Sequence, residues 1–250
     1  MKGLRQHPFR VIGRLIWFGW EVLAAMFVFL LRCVFCPKNS RRAKRAVWLQ
    51  RTARHVSRIF QLEIQSAGNI PPRGLLICNH VSYVDILVLV SLTPAVFVAK
   101  REVKSWLVMG WLAQLGGTVF IDRQRRTHVG EVNGEILTAL DDGALVIVFP
   151  EGTSSDGQTI LPFKSSLLEP ATQQKHPLTV GRIGYTLADG DAGTEVCYWG
   201  DAVFFPHLLN LLSKRSVRAS VRFASVEQHG TDRKELARQL HAAVLGLKTN

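Results

Sequence analysis

Only one acidic residue, Glu21, stands among the first 58 positions of this 250-residue chain. Thirteen lysines and arginines share that stretch, so it carries the whole net charge of +12. Residues 59–250 hold eighteen bases and eighteen acids and are neutral. The lack of a basic excess in the body argues against a broadly basic nucleic-acid-binding surface and points to a local basic element that meets an anionic one. Cysteine is scarce as well: Cys33, Cys36, Cys78 and Cys197. Cys33 and Cys36 make a C-x-x-C, but no second pair exists to complete a zinc site, and they read as small apolar thiols. Nothing suggests a disulfide framework, which suits a cytosolic face. Walker A and G-x-G-x-x-G patterns are missing, which turns attention away from nucleotide chemistry. So is the G-x-S-x-G nucleophile elbow: "GTSSD" begins as one, but Asp156 stands where the last glycine belongs.

What the chain has instead is apolar surface. Its mean hydropathy of +0.12 exceeds what a core requires. "LIWFGWEVLAAMFVFLL", Leu15 to Leu31, contains a single charge and is close to the shortest run that crosses a bilayer. No small-residue cleavage site follows it. Basic residues flank it on both sides, with Lys2, Arg5, Arg10 and Arg14 before it and Lys38, Arg41, Arg42, Lys44 and Arg45 after it. Two arrangements compete. A helix that enters one leaflet and returns, with its turn at Pro37, keeps both flanks on the cytoplasmic side; a spanning helix satisfies only the stronger C-terminal flank. Both mean membrane attachment, with Trp17, Trp20 and Trp48 at headgroup depth and the cations on anionic lipid. Residues 1–58 are therefore expected to form membrane-anchoring helices and 59–250 a separate body.

From residue 72 onward short apolar runs alternate with longer amphipathic ones. Strands are expected at 74–78, 95–99, 118–122 and 144–149, with helices at 82–92, 103–116 and 129–141 between and after them. Strand-like segments follow at 179–187, 195–199 and 216–224, with a short helix near 205–213 and a terminal helix from about Asp232. This is the alternation of an α/β domain with helices packed on a mostly parallel sheet.

Ligands of such sheets bind beyond the carboxyl ends of strands. Three strand ends carry polar, reactive residues: "NHVSYVD" after 75–78, "DR" at Asp122 and Arg123, and "PEGTSSDG" after 144–149. His80 and Asp85 are five apart, which separates them on a regular helix. His80 is therefore placed in the turn before the helix, with the chain folded back to bring carboxylate to imidazole. That pairing makes a general base with its orienter. A structural His–Asp pair is an equal alternative on these residues alone. No nucleophile accompanies the base: Cys78 ends a strand and faces inward, and Ser82 suits a helix cap. The substrate must then bring its own hydroxyl.

With "NHVSYVD", "GGTVFIDR" and "FPEGT" in this order, the chain resembles the glycerolipid acyltransferase family, the type that acylates 1-acyl-sn-glycerol-3-phosphate. The resemblance spans roughly residues 60–225. It implies transfer of a fatty acyl group from acyl-CoA or acyl carrier protein to a lysolipid hydroxyl at the cytoplasmic face of the inner membrane, without metal or bound cofactor. It assigns His80 as base, Asp85 as its orienter, and Arg123, Glu151, Gly152 and Thr153 to the acceptor. Backbone N–H groups at the start of the helix after His80, or near Gly152, are candidates for the thioester oxyanion. Where the family's third motif carries arginine this chain has Ser154, a candidate for acceptor selectivity, because a neutral hydroxyl is a poorer phosphate partner than a guanidinium. "EGTSSDG", with "WGD" at 199–201, looks like the branch that acylates lyso-ornithine lipid. A hydrolase lacks its nucleophile here, and a membrane-tethered binding protein has no need of three polar strand ends.

Overall fold

The computed structural model describes residues 7–106, 108–122, 126–227 and 230–248, with the side chains of 126–128 left aside. Seven strands form one sheet: β1 (Leu62–Ala67), β2 (Gly74–Cys78), β3 (Val96–Lys100), β4 (Val119–Ile121), β5 (Leu145–Val148), β6 (Leu178–Thr186) and β7 (Val217–Val226), in the order β1-β7-β6-β2-β5-β3-β4. Only the β6–β7 pair is antiparallel. Because β2 to β5 are buried on both faces, their residues read as continuous apolar runs, the mark of a covered parallel sheet. In β2, Leu76 and Cys78 join one core with the helices α2 (Lys38–Ile59) and α3 (Val84–Leu92). Leu75 and Ile77 point the other way, into a second core with α5 (Arg126–Asp141) and α7 (Arg233–Gly246). The α/β expectation with helices on a mostly parallel sheet holds.

Three local expectations need correction. The edge strand β1 lies outside the expected set, because it is short, largely exposed and polar at alternate positions. The run 103–116 is not one helix. Arg101–Ser105 is a 3₁₀ turn, and α4 begins only at Met109 and ends at Gly116, after Val108 takes φ +63°. Gly110 allows that sharp return, since a Cβ there would fall 2.5 Å from the Lys104 carbonyl oxygen. Nor is 195–199 a strand. Val196 and Cys197 both donate their N–H to the Ala192 carbonyl, closing a helical turn, and Tyr198 donates to Val81. Their alternation of apolar residues reports burial, which a turn over a core satisfies as well as a strand does.

The N-terminal segment is a helical hairpin. Helix α1 (Pro8–Cys33) has proline in its first turn, as suits a helix start, and α2 returns after Pro37. The two touch along their length: His55 meets Glu21 at 3.1 Å, the Trp48 indole donates to the Ala25 carbonyl at 2.8 Å, and the Cys33 thiol contacts the Lys44 carbonyl. At its start α1 is pinned to the end of α6 (Phe204–Ser213). Arg10 donates to the Ser213 carbonyl, and Arg14 to those of Leu212 and Lys214, so cations meet the partial negative charge of a helix C-terminus. The outward face of α1 is apolar, with Phe9, Ile16, Trp20, Leu23, Phe27 and Leu31 exposed. Among the described residues α1 is the one helix long and apolar enough to cross a membrane.

Candidate active site

Strand β2 leads to β3 on one side of itself, and β5 leads to β6 on the other, so the order reverses between the neighbours β2 and β5. That is where an open α/β sheet leaves a crevice at its carboxyl end. "NHVSYVD" leaves β2 and "PEGTSS" leaves β5, side by side. The chain folds back as expected: His80 Nδ1 lies 2.8 Å from Asp85 Oδ2. The same carboxylate oxygen accepts the N–H groups of Val81 and Ser82 at 2.8 and 3.0 Å, which holds the loop in its turn. Asp85 Oδ1 accepts the Tyr185 hydroxyl at 2.7 Å. Asp85 has no exposure at all, whereas His80 keeps 22% of its side chain open. Four donors thus surround a buried carboxylate, which satisfies a charge that would otherwise be costly to bury.

Glu151 is buried and stitches the two loops together. Its Oε1 accepts the His80 N–H and its Oε2 the Leu161 N–H, at 2.8 Å for the latter and 2.6 Å for the former. Ser155 adds a second link between the loops by donating its N–H to the His80 carbonyl. Burial pushes the Glu151 carboxyl above its ordinary value, against the two N–H donors that pull it down. Gly152 takes φ +76°, a conformation other residues rarely adopt, at the point where the loop turns over the site. Thr153 is exposed. The Ser154 hydroxyl donates to the Tyr198 carbonyl. Several of the N–H groups suggested for an oxyanion are already engaged: that of His80 with Glu151, those of Val81, Ser82 and Asp85 inside the first loop, and that of Gly152 with the Phe149 carbonyl.

The third strand end stands apart. β4 is at the sheet edge, separated from β5 by β3, and Asp122 there meets Arg101 at 3.3 Å. Arg123 lies outside the described residues.

Nucleophiles near His80 are quenched. Burial, and next the charge of Asp85, hold the Cys78 thiol far above its ordinary value. The same causes push Cys197 up to about 12. Ser82 is fully buried, and its hydroxyl oxygen accepts the Val84 N–H at 3.4 Å. Neither thiol is a thiolate at neutral pH, and the serine is closed to a substrate.

Beside the dyad lies apolar space. The His80 ring stacks on Phe149 at 4.3 Å between centroids, and Phe149 stacks on Phe97 at 6.1 Å. Phe97 lines an apolar space of about 730 Å³, part of it open to solvent, with Leu87, Val90, Leu112 and Ala113. A second such space of about 1060 Å³ adjoins it, sharing Phe18, Val56, Tyr83, Trp106 and Met109, and reaches the exposed Phe205.

Sequence reasoning missed two residues here. Tyr185 is a single tyrosine in an apolar strand one hundred positions from Asp85. Asn79 uses its side-chain amide to pair with both the N–H and the carbonyl of Ile183, at 2.7 and 3.0 Å, locking the end of β2 to β6. A buried amide at a strand end is the signal that was available for Asn79.

Residues 61–180 match a family model described as Acyltransferase. The lyso-ornithine lipid O-acyltransferase of Rhizobium meliloti is 35% identical over 223 residues, covering 82% of this chain and 75% of that protein. The 1-acyl-sn-glycerol-3-phosphate acyltransferase of Neisseria gonorrhoeae is 33% identical over 174 residues, covering 66% and 67%. In fold, the chain is similar to the crystal structure of a 1-acyl-sn-glycerophosphate acyltransferase from Thermotoga maritima, with a TM-score of 0.68 at 16% identity over 98% of this chain and 97% of that one.

Proposed function

The chain belongs to the glycerolipid acyltransferase family, and on that premise we propose that it moves a fatty acyl group from a thioester donor, acyl-CoA or acyl carrier protein, to the free hydroxyl of a lysolipid, with His80 as general base. The observation that carries this reading is the His80–Asp85 pair at the sheet's switch point, open on the imidazole side, with the neighbouring Cys78, Cys197 and Ser82 closed as nucleophiles. Asp85 holds the proton on Nδ1, which leaves Nε2 as the acceptor. The lysolipid hydroxyl gives its proton to Nε2 as its oxygen attacks the thioester carbonyl. The tetrahedral intermediate collapses to an ester, and the departing thiolate takes the proton back from the imidazolium. The substrate hydroxyl replaces the enzyme nucleophile of a Ser–His–Asp triad. Glu151 is a positioning residue in this reading, since its carboxylate oxygens already accept the His80 and Leu161 N–H groups; the acceptor head group is assigned to Gly152 and Thr153 on the outer part of that loop, with Arg123 kept as the contact the family resemblance implies. The paired apolar cavities suit the acyl chain, at about 0.8 kcal/mol for each methylene buried.

The acceptor we favour is a lyso-ornithine lipid. Relatives so named match at 34–35% identity over 73–82% of the chain, and the neutral Ser154 is bound to a carbonyl. Lysophosphatidate is the second reading, supported by the relatives named for it. The hairpin is proposed to lie in one leaflet on the cytoplasmic side of the inner membrane. α2 touches α1 throughout, so a spanning α1 would carry the eight lysines and arginines of α2 into hydrocarbon. Thiol release from an acyl thioester, measured with and without each lysolipid, tests the reaction. Release that ignores the lysolipid would mark a hydrolase instead. His80→Ala should lower turnover by about 10²–10⁴-fold, and near-normal turnover in that variant would remove the proposed base.

A further inference from the structure

A groove runs along one flank of the α1–α2 hairpin and meets the apolar cavities only at Thr52. It opens as two adjoining spaces of about 980 and 550 Å³ that share Val28, Arg32, Trp48 and Arg51. Its floor is apolar: Val28, Val47 and the Trp48 ring, whose N–H is spent on the Ala25 carbonyl. Three cations stand on its rim, Arg32, Lys44 and Arg51. Other basic side chains of α2 are engaged elsewhere: Arg42 with Asp142, Arg45 over the Phe29 ring, Arg54 on the Ser91 carbonyl. The three on the rim have no partner among the described residues. The one carboxylate in the groove, Glu21, sits at its far end and accepts from Trp17 and pairs with His55. One edge of the groove continues into the exposed apolar ridge of Leu23, Phe27, Leu30 and Leu31.

Cations without counter-charge around an apolar floor, opening onto an apolar ridge, call for an amphiphile with an anionic head. A small soluble anion would leave the floor and ridge unused. We propose that this groove holds one membrane phospholipid of net negative charge, its phosphate among Arg32, Lys44 and Arg51 and one chain along Val28 and Leu31. This lipid is a bound constituent of the anchor and does not rest on the transfer reaction.

The test counts lipids retained by the full-length protein in native mass spectrometry, after delipidation in detergent and addition of phosphatidylglycerol or phosphatidylcholine. The native protein should retain one phosphatidylglycerol in preference to phosphatidylcholine. The triple variant Arg32→Gln, Lys44→Gln, Arg51→Gln should lose that preference by about a hundredfold, at roughly fivefold for each cation near an anionic head. A control with equal loss of charge outside the groove, Lys38→Gln, Arg41→Gln, Arg58→Gln, should keep it. Val28→Trp, which fills the floor without changing charge, should expel the lipid as well. Equal losses in both triple variants would mean diffuse attraction and overturn the site. So would a native protein indifferent to the head group, a Val28→Trp variant that still retains the lipid, or displacement of the lipid by millimolar inorganic phosphate.

Discussion

Tyr185→Phe removes one oxygen atom and with it the hydrogen bond to Asp85 Oδ1, leaving the ring that packs in β6. Burial, and then the charge of Asp85, keep the Tyr185 hydroxyl protonated well beyond the usual tyrosine range, so it is a donor throughout any working pH. A hydrogen bond to a charged group is worth about 1.5–3 kcal/mol. Some of that is spent in stability. The rest concerns His80, because a carboxylate held by three donors instead of four orients the imidazole less firmly. If half of the interaction is felt at His80, about 0.7–1.5 kcal/mol, kcat should fall by roughly three- to twelvefold at 1.36 kcal/mol for each tenfold. The assay is thiol release with acyl-CoA and lysolipid, with KM for both substrates expected to stay near native. A native kcat, or a loss that appears in KM alone, would refute the reasoning and leave Tyr185 a packing residue.

Asp85→Asn should be severe, about 10⁴-fold in kcat by analogy with the orienting aspartate of a triad, because an amide turns the ring to the wrong tautomer; kcat within tenfold of native would count against the dyad. Glu151→Gln leaves one of the two N–H groups it serves without an acceptor and should cost about 1–3 kcal/mol of stability in chemical denaturation. Because the folded Glu151 binds its proton more tightly than the unfolded one, its contribution is full below the ordinary value and is lost as pH rises, so the stability gap between native protein and variant should narrow from about pH 4.5 upward. Ala113→Phe fills the first apolar cavity and should shift the donor preference to shorter chains, by roughly fourfold per excluded methylene at about 0.8 kcal/mol each; an unchanged chain-length profile would put the acyl group elsewhere. Ser154→Arg should not improve use of a lyso-ornithine lipid, whose ammonium it would oppose. A gain there, measured as the ratio of specificity constants for the two acceptors, would count against that acceptor.

Local sequence was enough for much of this. A run of apolar residues bounded by turns locates β2, β3 and β5, and the five-residue spacing of His80 and Asp85 demands the fold-back that the structure contains. Pro37 marked the hairpin turn. What local sequence could not supply was partnership at long range. Nothing near Tyr185 indicates that its hydroxyl reaches Asp85, and nothing near Asn79 names Ile183. Strand order is equally remote: three polar strand ends looked equivalent in sequence, yet β4 sits two places from β5 and carries Asp122 away from His80. The reading of 103–116 as one helix failed because an amphipathic pattern does not reveal a backbone reversal that depends on one glycine meeting a carbonyl.

The first helix of this protein is made long before the groups that hold it. Arg10 and Arg14 bind carbonyls of residues 212–215, about two hundred positions later, and the last strand, β7, inserts between β1 and β6. At roughly 5–20 residues per second, about 10–40 s of synthesis separate α1 from its anchor. For that interval the 26-residue helix has α2 against one face but not the carbonyls that fix its start. The sheet closes only once the chain is nearly complete, so the hairpin is made before it is anchored. A ribosome stalled before β7 would leave a nascent chain with its hairpin formed but without a finished sheet.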